Sequence, residues 1–333
     1  MSIAISGTTG ITLAGQFDSA SSFGFRNRII NGQMQIAQRA TSATITAGST
    51  IAAGYSTVDR FYVYCTGANL TAAQVAGSGA IKNNLQITGA ASVTAVGIGQ
   101  RIEQLNSYDM AGSTATLSVN ISNSLLTTVT WTAYYATTAD TFGTLASPTR
   151  TQIATGTFTV NSTLTNYSTQ ISIPSAATTG IEIVFTIGAQ TSGTWVIGNV
   201  QLEKGSTATS FDYRPYGTEL ALCQRYFQTW GGNSLYERIA TGYAVSSTQI
   251  EVFISRYYVP MRSAPSLAVN SVSNFRASDA GSSYTATAVS ISQASPLSCG
   301  ISVTVASGLT TYRAMSMDTN NTTSAQLSLS SEL

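Results

Sequence analysis

The chain has 333 residues, of which only 9% are charged, with a net charge of +1 and no histidine. The lack of histidine removes the commonest general base and the commonest zinc ligand, and no basic cluster indicates nucleic-acid binding. The 94 serine and threonine residues favour strands, because hydroxyls compete for the backbone hydrogen bonds of helices. Since 43% of the residues are hydrophobic, disorder is excluded.

The three cysteines, Cys65, Cys223 and Cys299, are odd in number and lack metal-binding spacing, which favours buried free thiols. No stretch approaches the roughly 20 apolar residues of a membrane span. The first residues lack the basic and apolar segments of a signal peptide. We therefore expect no cofactor and no membrane insertion. No metal site is assigned, and a calcium site made of Asp side chains and backbone carbonyls stays open as an alternative.

The segment 1–25 is rich in Ser, Gly and Thr, and Ile3, Ile5, Ile11 and Leu13 all occupy odd positions. This pattern predicts an extended arm that attaches the protein to a partner surface. A frayed terminus is the alternative interpretation.

Residues 26–213 form a long series of strand patterns. Apolar residues alternate with polar ones at 116–121, 129–135, 181–187 and 195–203, which is typical of strands with one buried face. Because no helical pattern interrupts them, we predict an all-β, jelly-roll-like sandwich. We expect Trp131 and Trp195 in its core.

A connector at 214–232 follows, with one predicted helix at 217–229. Thr218 suits the N-cap, and Gly231 with Gly232 ends the pattern. Alternation then returns, so that 233–333 is predicted to be a smaller C-terminal β-domain.

Four stretches of the sequence stand out as motifs: NVQLEKGSTATSFDYRPYGTELALCQRYF at 199–227, RNRIINGQMQIAQRATS at 26–42, VDRFY at 58–62 and PMRSAP at 260–265. Together they resemble bacteriophage tail fibre and tail-associated proteins. In that group a sandwich ends in a strand like VQLE and a helix like ALCQRYF follows. The sandwich of the group also looks like carbohydrate-binding modules. The resemblance covers most of 26–270.

The resemblance implies a structural, non-enzymatic protein of the phage virion, a tail fibre or appendage assembled in the host cytoplasm. We expect a homotrimer whose arm contacts other tail or baseplate proteins and whose repeated sites attach to a host-surface glycan. Two other functions stay open: a virion connector or decoration protein without receptor contact, and a polysaccharide depolymerase.

Three sets of residues are candidates for these roles. Flat aromatic rings stack on the apolar faces of sugars, and the glycan candidates are Tyr62, Tyr64, Tyr134 and Tyr167, although strand aromatics also serve as core. In a trimer with closed symmetry, the apolar side of the predicted helix would be buried between subunits. The interface candidates are therefore Leu220, Cys223, Tyr226 and Phe227. Packing of these residues within the same chain is the alternative. The inter-domain charges are Glu203, Asp212, Arg214, Glu219 and Arg225, either as an ion-pair network or as solvated linker charges.

A depolymerase would need two carboxylates within about 5–9.5 Å of each other. The conceivable pairs are Glu103 with Asp109 and Glu203 with Asp212. Since carboxylates are scattered singly along the chain, no catalytic residue is assigned.

Overall fold

A computed structural model describes residues 25–48, 54–79, 81–145 and 147–333, together with the backbone at 5–6 and 10–11. It divides into two compact units, Met1–Glu219 with Leu333 (unit 1) and Leu220–Glu332 (unit 2). The division falls inside the segment predicted as a connector. Nearly all of the predicted arm over 1–25 lies outside the described residues.

Unit 1 consists of strands and the start of one helix. Its strands are β1 (Ile5–Ser6), β2 (Gly10–Ile11), β3 (Ser42–Ile45), β4 (Tyr62–Thr66), β5 (Leu70–Ala76), β6 (Asn83–Thr88), β7 (Ala95–Ile102), β8 (Thr114–Asn123), β9 (Thr128–Ala136), β10 (Arg150–Thr159), β11 (Thr165–Ser172), β12 (Ile181–Ile187) and β13 (Thr194–Lys204). A five-stranded sheet has the order β10-β9-β12-β7-β4, and a six-stranded sheet has the order β11-β8-β13-β6-β5-β3. The chain crosses repeatedly between the two sheets, which confirms the predicted jelly-roll-like sandwich.

Alternation along each strand separates the sandwich core from the opposite face of the five-stranded sheet. One row of paired residues crosses β4, β7, β12 and β9 and is buried in the core. In that strand order its members are Val63, Ile98, Phe185 and Trp131. Trp195, from the six-stranded sheet, is fully buried in the same core. The prediction that both tryptophans are core residues is confirmed.

The helix α1 spans Tyr216–Gln224 and is therefore shorter than predicted. The prediction that Tyr226 and Phe227 are helical was wrong. Phe227–Trp230 instead forms strand β14, which pairs with β22 (Leu327–Ser330). Local apolar spacing cannot reveal this pairing, because the partner strand is far away in the sequence.

Unit 2 is smaller than unit 1 and consists mainly of strands, which agrees with the predicted fold class. Its other strands are β15 (Arg238–Ala244), β16 (Gln249–Ile254), β17 (Ser266–Val269), β18 (Phe275–Ser278), β19 (Ser283–Ala294), β20 (Cys299–Val305) and β21 (Ala314–Thr319). Six of the strands close into a barrel in the order β15-β16-β20-β19-β18-β21, while β14, β22 and β17 form a small sheet. The barrel has its own core, which includes Ile250, Val252, Ile301, Val303 and Met317.

The three cysteines are buried and free, as predicted. Within the described part of the chain, no helix is long and apolar enough to cross a membrane.

We expect Leu117→Ala to lower the free energy of unfolding of unit 1 by about 2–5 kcal/mol, because Leu117 is fully buried in the sandwich core and truncation leaves a cavity. Leu125→Ala is the matched control, since the side chain is 42% exposed and its loss should cost less than about 1 kcal/mol. Urea unfolding followed by near-ultraviolet circular dichroism measures both. Equal losses in the two variants would contradict the assigned core.

Candidate functional site

The face of the five-stranded sheet that points away from the core carries three of the tyrosines singled out in the sequence. Because side chains alternate along a strand, Tyr62 and Tyr64 are on the opposite face of the sheet from the core residue Val63. Tyr134 lies on the same side, next to Glu182 on β12. We call this surface, with Arg101 and Arg150, the outer face.

Two glycines let the tyrosine rings of β4 lie flat across the neighbouring strand. Tyr62 is paired with Gly99 and Tyr64 with Gly97. A Cβ atom at either glycine would come within 2.2 Å of the paired tyrosine side chain. The two rings are stacked with centroids 6.4 Å apart and an interplanar angle of 24°. Glycine within a strand often marks such a close approach.

A buried carboxylate holds the polar groups of the outer face in place. Glu182 has no exposed side-chain surface and forms salt bridges with Arg101, at 2.9 Å, and with Arg150. It also accepts a hydrogen bond of 2.7 Å from the Tyr62 hydroxyl. Two guanidinium groups and one hydroxyl therefore satisfy this carboxylate, as a charge in a low-dielectric site requires.

The Arg150 guanidinium extends from this cluster over the ring of Tyr134. Its central carbon lies 4.0 Å from the ring centroid, within the range of a cation–π interaction. Tyr64, Tyr134 and Arg150 are partly exposed, whereas Tyr62 is fully buried. The sequence-predicted Tyr62 therefore has no ring face for a sugar, and it supports the neighbouring ring of Tyr64 instead.

Burial controls the protonation of the two β4 tyrosines. It raises the pKa of Tyr62 well above the usual range, and the nearby Glu182 carboxylate raises it further. Burial also raises the pKa of Tyr64. Both hydroxyls therefore stay protonated to a higher pH than that of an exposed tyrosine, and the Tyr62 hydroxyl can donate to Glu182.

Beside Tyr64 lies a small cavity of about 160 Å³ with hydroxyl groups in its wall. Thr44, Thr46 and Ser56 line it together with Tyr64. The outer face thus combines ring surface, a fixed guanidinium and nearby hydroxyls. This combination can stack on an apolar surface and form hydrogen bonds at its edges.

Tyr167 is the predicted glycan candidate that the fold separates from the others. It lies on β11 of the six-stranded sheet, packs against the sandwich core and has its ring centroid 5.5 Å from that of Phe158. Its ring therefore has a packing role.

Arg214 and Glu219, two of the predicted inter-domain charges, form a salt bridge in unit 1. Nη1 of Arg214 contacts both carboxylate oxygens of Glu219, at 3.2 and 3.4 Å. One nitrogen makes both contacts, so this pair is not a bidentate fork with two parallel hydrogen bonds. Glu219 also accepts the backbone N–H of Asn31.

The other predicted junction charges have separate partners. Glu203 accepts from the backbone N–H and hydroxyl of Thr209, at 2.9 and 2.6 Å, and Asp212 accepts from the backbone N–H of Asn27 at 3.2 Å. Arg225 lies in unit 2. A role of these charges in setting the angle between domains stays a prediction.

The interface candidates of the helix region are mostly buried within the chain itself. Cys223 and Tyr226 have no exposed surface, Phe227 is 5% exposed, and Leu220 is partly exposed. They do not form an exposed apolar stripe, because β14 places Phe227 in a sheet. These residues therefore do not supply the apolar surface that packing around a three-fold axis would need.

The carboxylates considered for catalysis have structural partners. Asp109 forms a 2.8 Å salt bridge with Arg28, while Glu103 is buried at 3% exposure. Among the residues that the structure describes, no group of three or more Cys, Asp or Glu side chains is placed to hold a metal ion.

No protein-family model matches the chain, and no curated protein matches its sequence. Solved structures do show likeness. A putative sugar-binding protein from Bacteroides thetaiotaomicron is 13% identical with a TM-score of 0.35, and the match covers 54% of this chain and 100% of that one. A CBM4 structure is 13% identical with a TM-score of 0.34 and coverage of 53% and 98%. The enzymatically active domain of a bacteriophage CBA120 tailspike is 17% identical with a TM-score of 0.33, and the match covers 54% of this chain and 22% of that chain. These values are too low to transfer a function.

Sequence reasoning missed Arg101, Arg150 and Glu182, which organise the outer face. One signal was available: Glu182 stands between Ile181 and Ile183 in a clear strand pattern, in a chain with few charges. A charge at such a position must find a partner on the same face, because an unpaired buried charge is costly.

We expect Glu182→Gln to lower the free energy of unfolding by about 3–5 kcal/mol, because two arginines would lose the buried carboxylate that balances them. Asp109→Asn is the matched control. Its salt bridge with Arg28 is partly exposed on both sides, and its loss should cost at most about 1 kcal/mol. Urea unfolding of the two variants compares them, and similar small losses would show that Glu182 does not organise this face.

Proposed function

We propose that this chain is a non-catalytic glycan-binding protein and that the outer face is its binding surface. The observation that carries the proposal is the convergence of Tyr64, Tyr134 and Arg150 around one buried carboxylate. A sugar has apolar C–H faces that stack on flat rings, while its hydroxyls accept and donate hydrogen bonds. The partly exposed rings and the fixed guanidinium supply both kinds of contact.

Hydroxyl and amide groups continue this surface across the sheet. Thr186, Thr130 and Thr157 are paired in one row across β12, β9 and β10. Gln152 is paired with Tyr134, and both Gln152 and Thr157 are exposed. A polar surface with few charges suits a ligand that offers many hydroxyls, and a row across strands suits an elongated one.

The chemistry of Glu182 favours binding over hydrolysis. Glycoside hydrolysis requires one carboxyl group as acid and a second as base or nucleophile. Glu182 is fully buried and accepts from Arg101, Arg150 and Tyr62. Those partners occupy its oxygens and hold it in place, so that it serves to position its neighbours.

Within a phage particle, we propose that the chain serves as a tail fibre or appendage protein that attaches to a host-surface glycan. The support is the sequence resemblance at 26–42, 58–62, 199–227 and 260–265. Several copies would raise the avidity of a weak site without any new contact. A connector without receptor contact is the competing role, and it predicts no glycan binding.

We expect Tyr64→Ala and Tyr134→Ala each to weaken glycan binding about tenfold, because each removes one stacking ring. Tyr134→Phe should retain most of the affinity, since it keeps the ring. Tyr108→Ala is the matched control, because Tyr108 is 57% exposed and lies outside this face. Binding of the full chain to an array of neutral oligosaccharides that includes xylohexaose and β-1,4-galactotriose measures these changes.

An array without signal for the parent protein would favour the connector role. Equal binding by the parent, Tyr64→Ala and Tyr134→Ala proteins would reject the outer face as the site. Circular dichroism of each variant separates lost binding from lost folding.

The trimer stays a proposal, and its subunit contacts would involve surfaces other than the buried Cys223 and Tyr226. We expect a particle of about three times the 34.7 kDa of one chain. Light scattering coupled to size-exclusion chromatography measures this mass, and the mass of a single chain would reject the trimer.

A further inference from the structure

A cavity of about 510 Å³ opens on the wall of the unit 2 barrel, along β18, β21 and β15. Ser278, Ser316 and Thr241 are paired in a row across these three strands, and all three line the cavity. The hydroxyls of Ser278 and Ser316 are nearly buried and bond to each other, and the Ser278 hydroxyl also contacts Asp318. Thr241 is exposed and is therefore the hydroxyl of this row that a ligand can reach.

Buried carboxylates position three arginines around this cavity. Asp318 is 2% exposed at its side chain and contacts Nε of Arg238 at 3.2 Å and Nη2 of Arg276 at 3.6 Å. Asp279, which lines the cavity, is 4% exposed and contacts Nε of Arg313 at 3.0 Å. The negative charges are thus covered, while part of the positive charge stays at the surface.

The exposed charge at the rim is positive. The side chain of Arg238 is 64% exposed and that of Arg313 is 50% exposed. Both contact their aspartate through Nε, so the terminal nitrogens of each guanidinium can bind a further acceptor. The register pairs Arg238 with Asp318, and Arg313 stands five residues before Asp318, which puts the two arginines roughly 17 Å apart along the strand direction.

Two exposed aromatic rings border the cavity on the neighbouring strand pair. Phe253 is paired with Thr241, and Tyr243 is paired with Ala314. Their rings are 44% and 41% exposed, and the ring centroids are 6.4 Å apart. A ligand held over the hydroxyl row would therefore reach an aromatic surface at its side.

We propose that this cavity is a second saccharide site, specific for an acidic oligosaccharide. Its carboxylate groups would bind the guanidinium groups of Arg238 and Arg313, which suit planar bidentate recognition. Its hydroxyls would bind Thr241, and the ring of Phe253 would cover an apolar sugar face. The two arginines at opposite ends favour a ligand of more than one sugar unit with repeated negative charges. This site is independent of the outer face, which lacks an exposed pair of arginines of this kind among its described residues.

Titration calorimetry of the full chain with hexagalacturonate and with an α-2,8-linked oligomer of sialic acid tests this proposal, with xylohexaose as the neutral probe. We expect at least one acidic probe to bind, and its affinity to fall as NaCl is raised from about 50 to 300 mM. Arg238→Gln and Arg313→Gln should each weaken that binding about tenfold. Asp279→Asn should strengthen it, because it keeps the acceptor for the Gly281 and Ser282 amides but removes the charge that competes for Arg313.

Arg256→Gln is the matched control, since Arg256 is exposed in the same unit and does not line the cavity. It should bind the acidic probe like the parent protein, and so should Tyr64→Ala, which alters only the outer face. Phe253→Tyr should retain binding that Phe253→Ala loses. The proposal is overturned if neither acidic probe binds, if the Arg238 and Arg313 variants bind like the parent, or if Arg256→Gln weakens binding equally.

Discussion

The Glu182 carboxylate joins side chains from several strands of one sheet. It accepts a hydrogen bond from Tyr62 of β4 and forms salt bridges with Arg101 of β7 and Arg150 of β10. The guanidinium of Arg150 in turn lies over the ring of Tyr134 on β9. The three polar side chains Tyr62, Arg101 and Arg150 therefore depend on a single buried charge. A buried charge of this kind adds little to stability, but removing it leaves its partners uncompensated. Its main effect is to fix the direction in which the partly exposed rings and the guanidinium point.

Unit 2 also has a buried carboxylate that is contacted by two arginines, here on the wall of a barrel. Asp318 is nearly buried and is contacted by two arginines, one of which remains largely exposed. In a chain where only 9% of the residues are charged, both units thus cover a buried carboxylate with two guanidinium groups. The difference lies in exposure: Arg101 and Arg150 are mostly covered, whereas Arg238 and Arg313 reach solvent. This contrast is why we propose ligands of different charge for the two surfaces.

Alternation in the sequence was sufficient to predict the sandwich, because each strand such as Ile181–Ile187 has one face in the core. It also predicted that Trp131 and Trp195 are buried, and it selected Tyr64 and Tyr134. It could not distinguish the buried Tyr62 or separate Tyr167 onto the other sheet, because both properties depend on which strands pair. The same limit explains Phe227, whose helical spacing was overridden by pairing with a strand near the end of the chain. Sequence spacing carries no information on such distant partners.

Gly97 and Gly99 give the outer face a property that its tyrosines do not determine. The rings of β4 rest on the bare backbone of β7, so the height of this platform above the sheet is set by the neighbouring strand. Any larger side chain at either position would tilt a ring upwards. Under the proposed function, natural variation at these two positions would alter the shape of the glycan that fits, while every aromatic residue stayed unchanged. The ligand preference would then change through two glycines that make no contact with the ligand themselves.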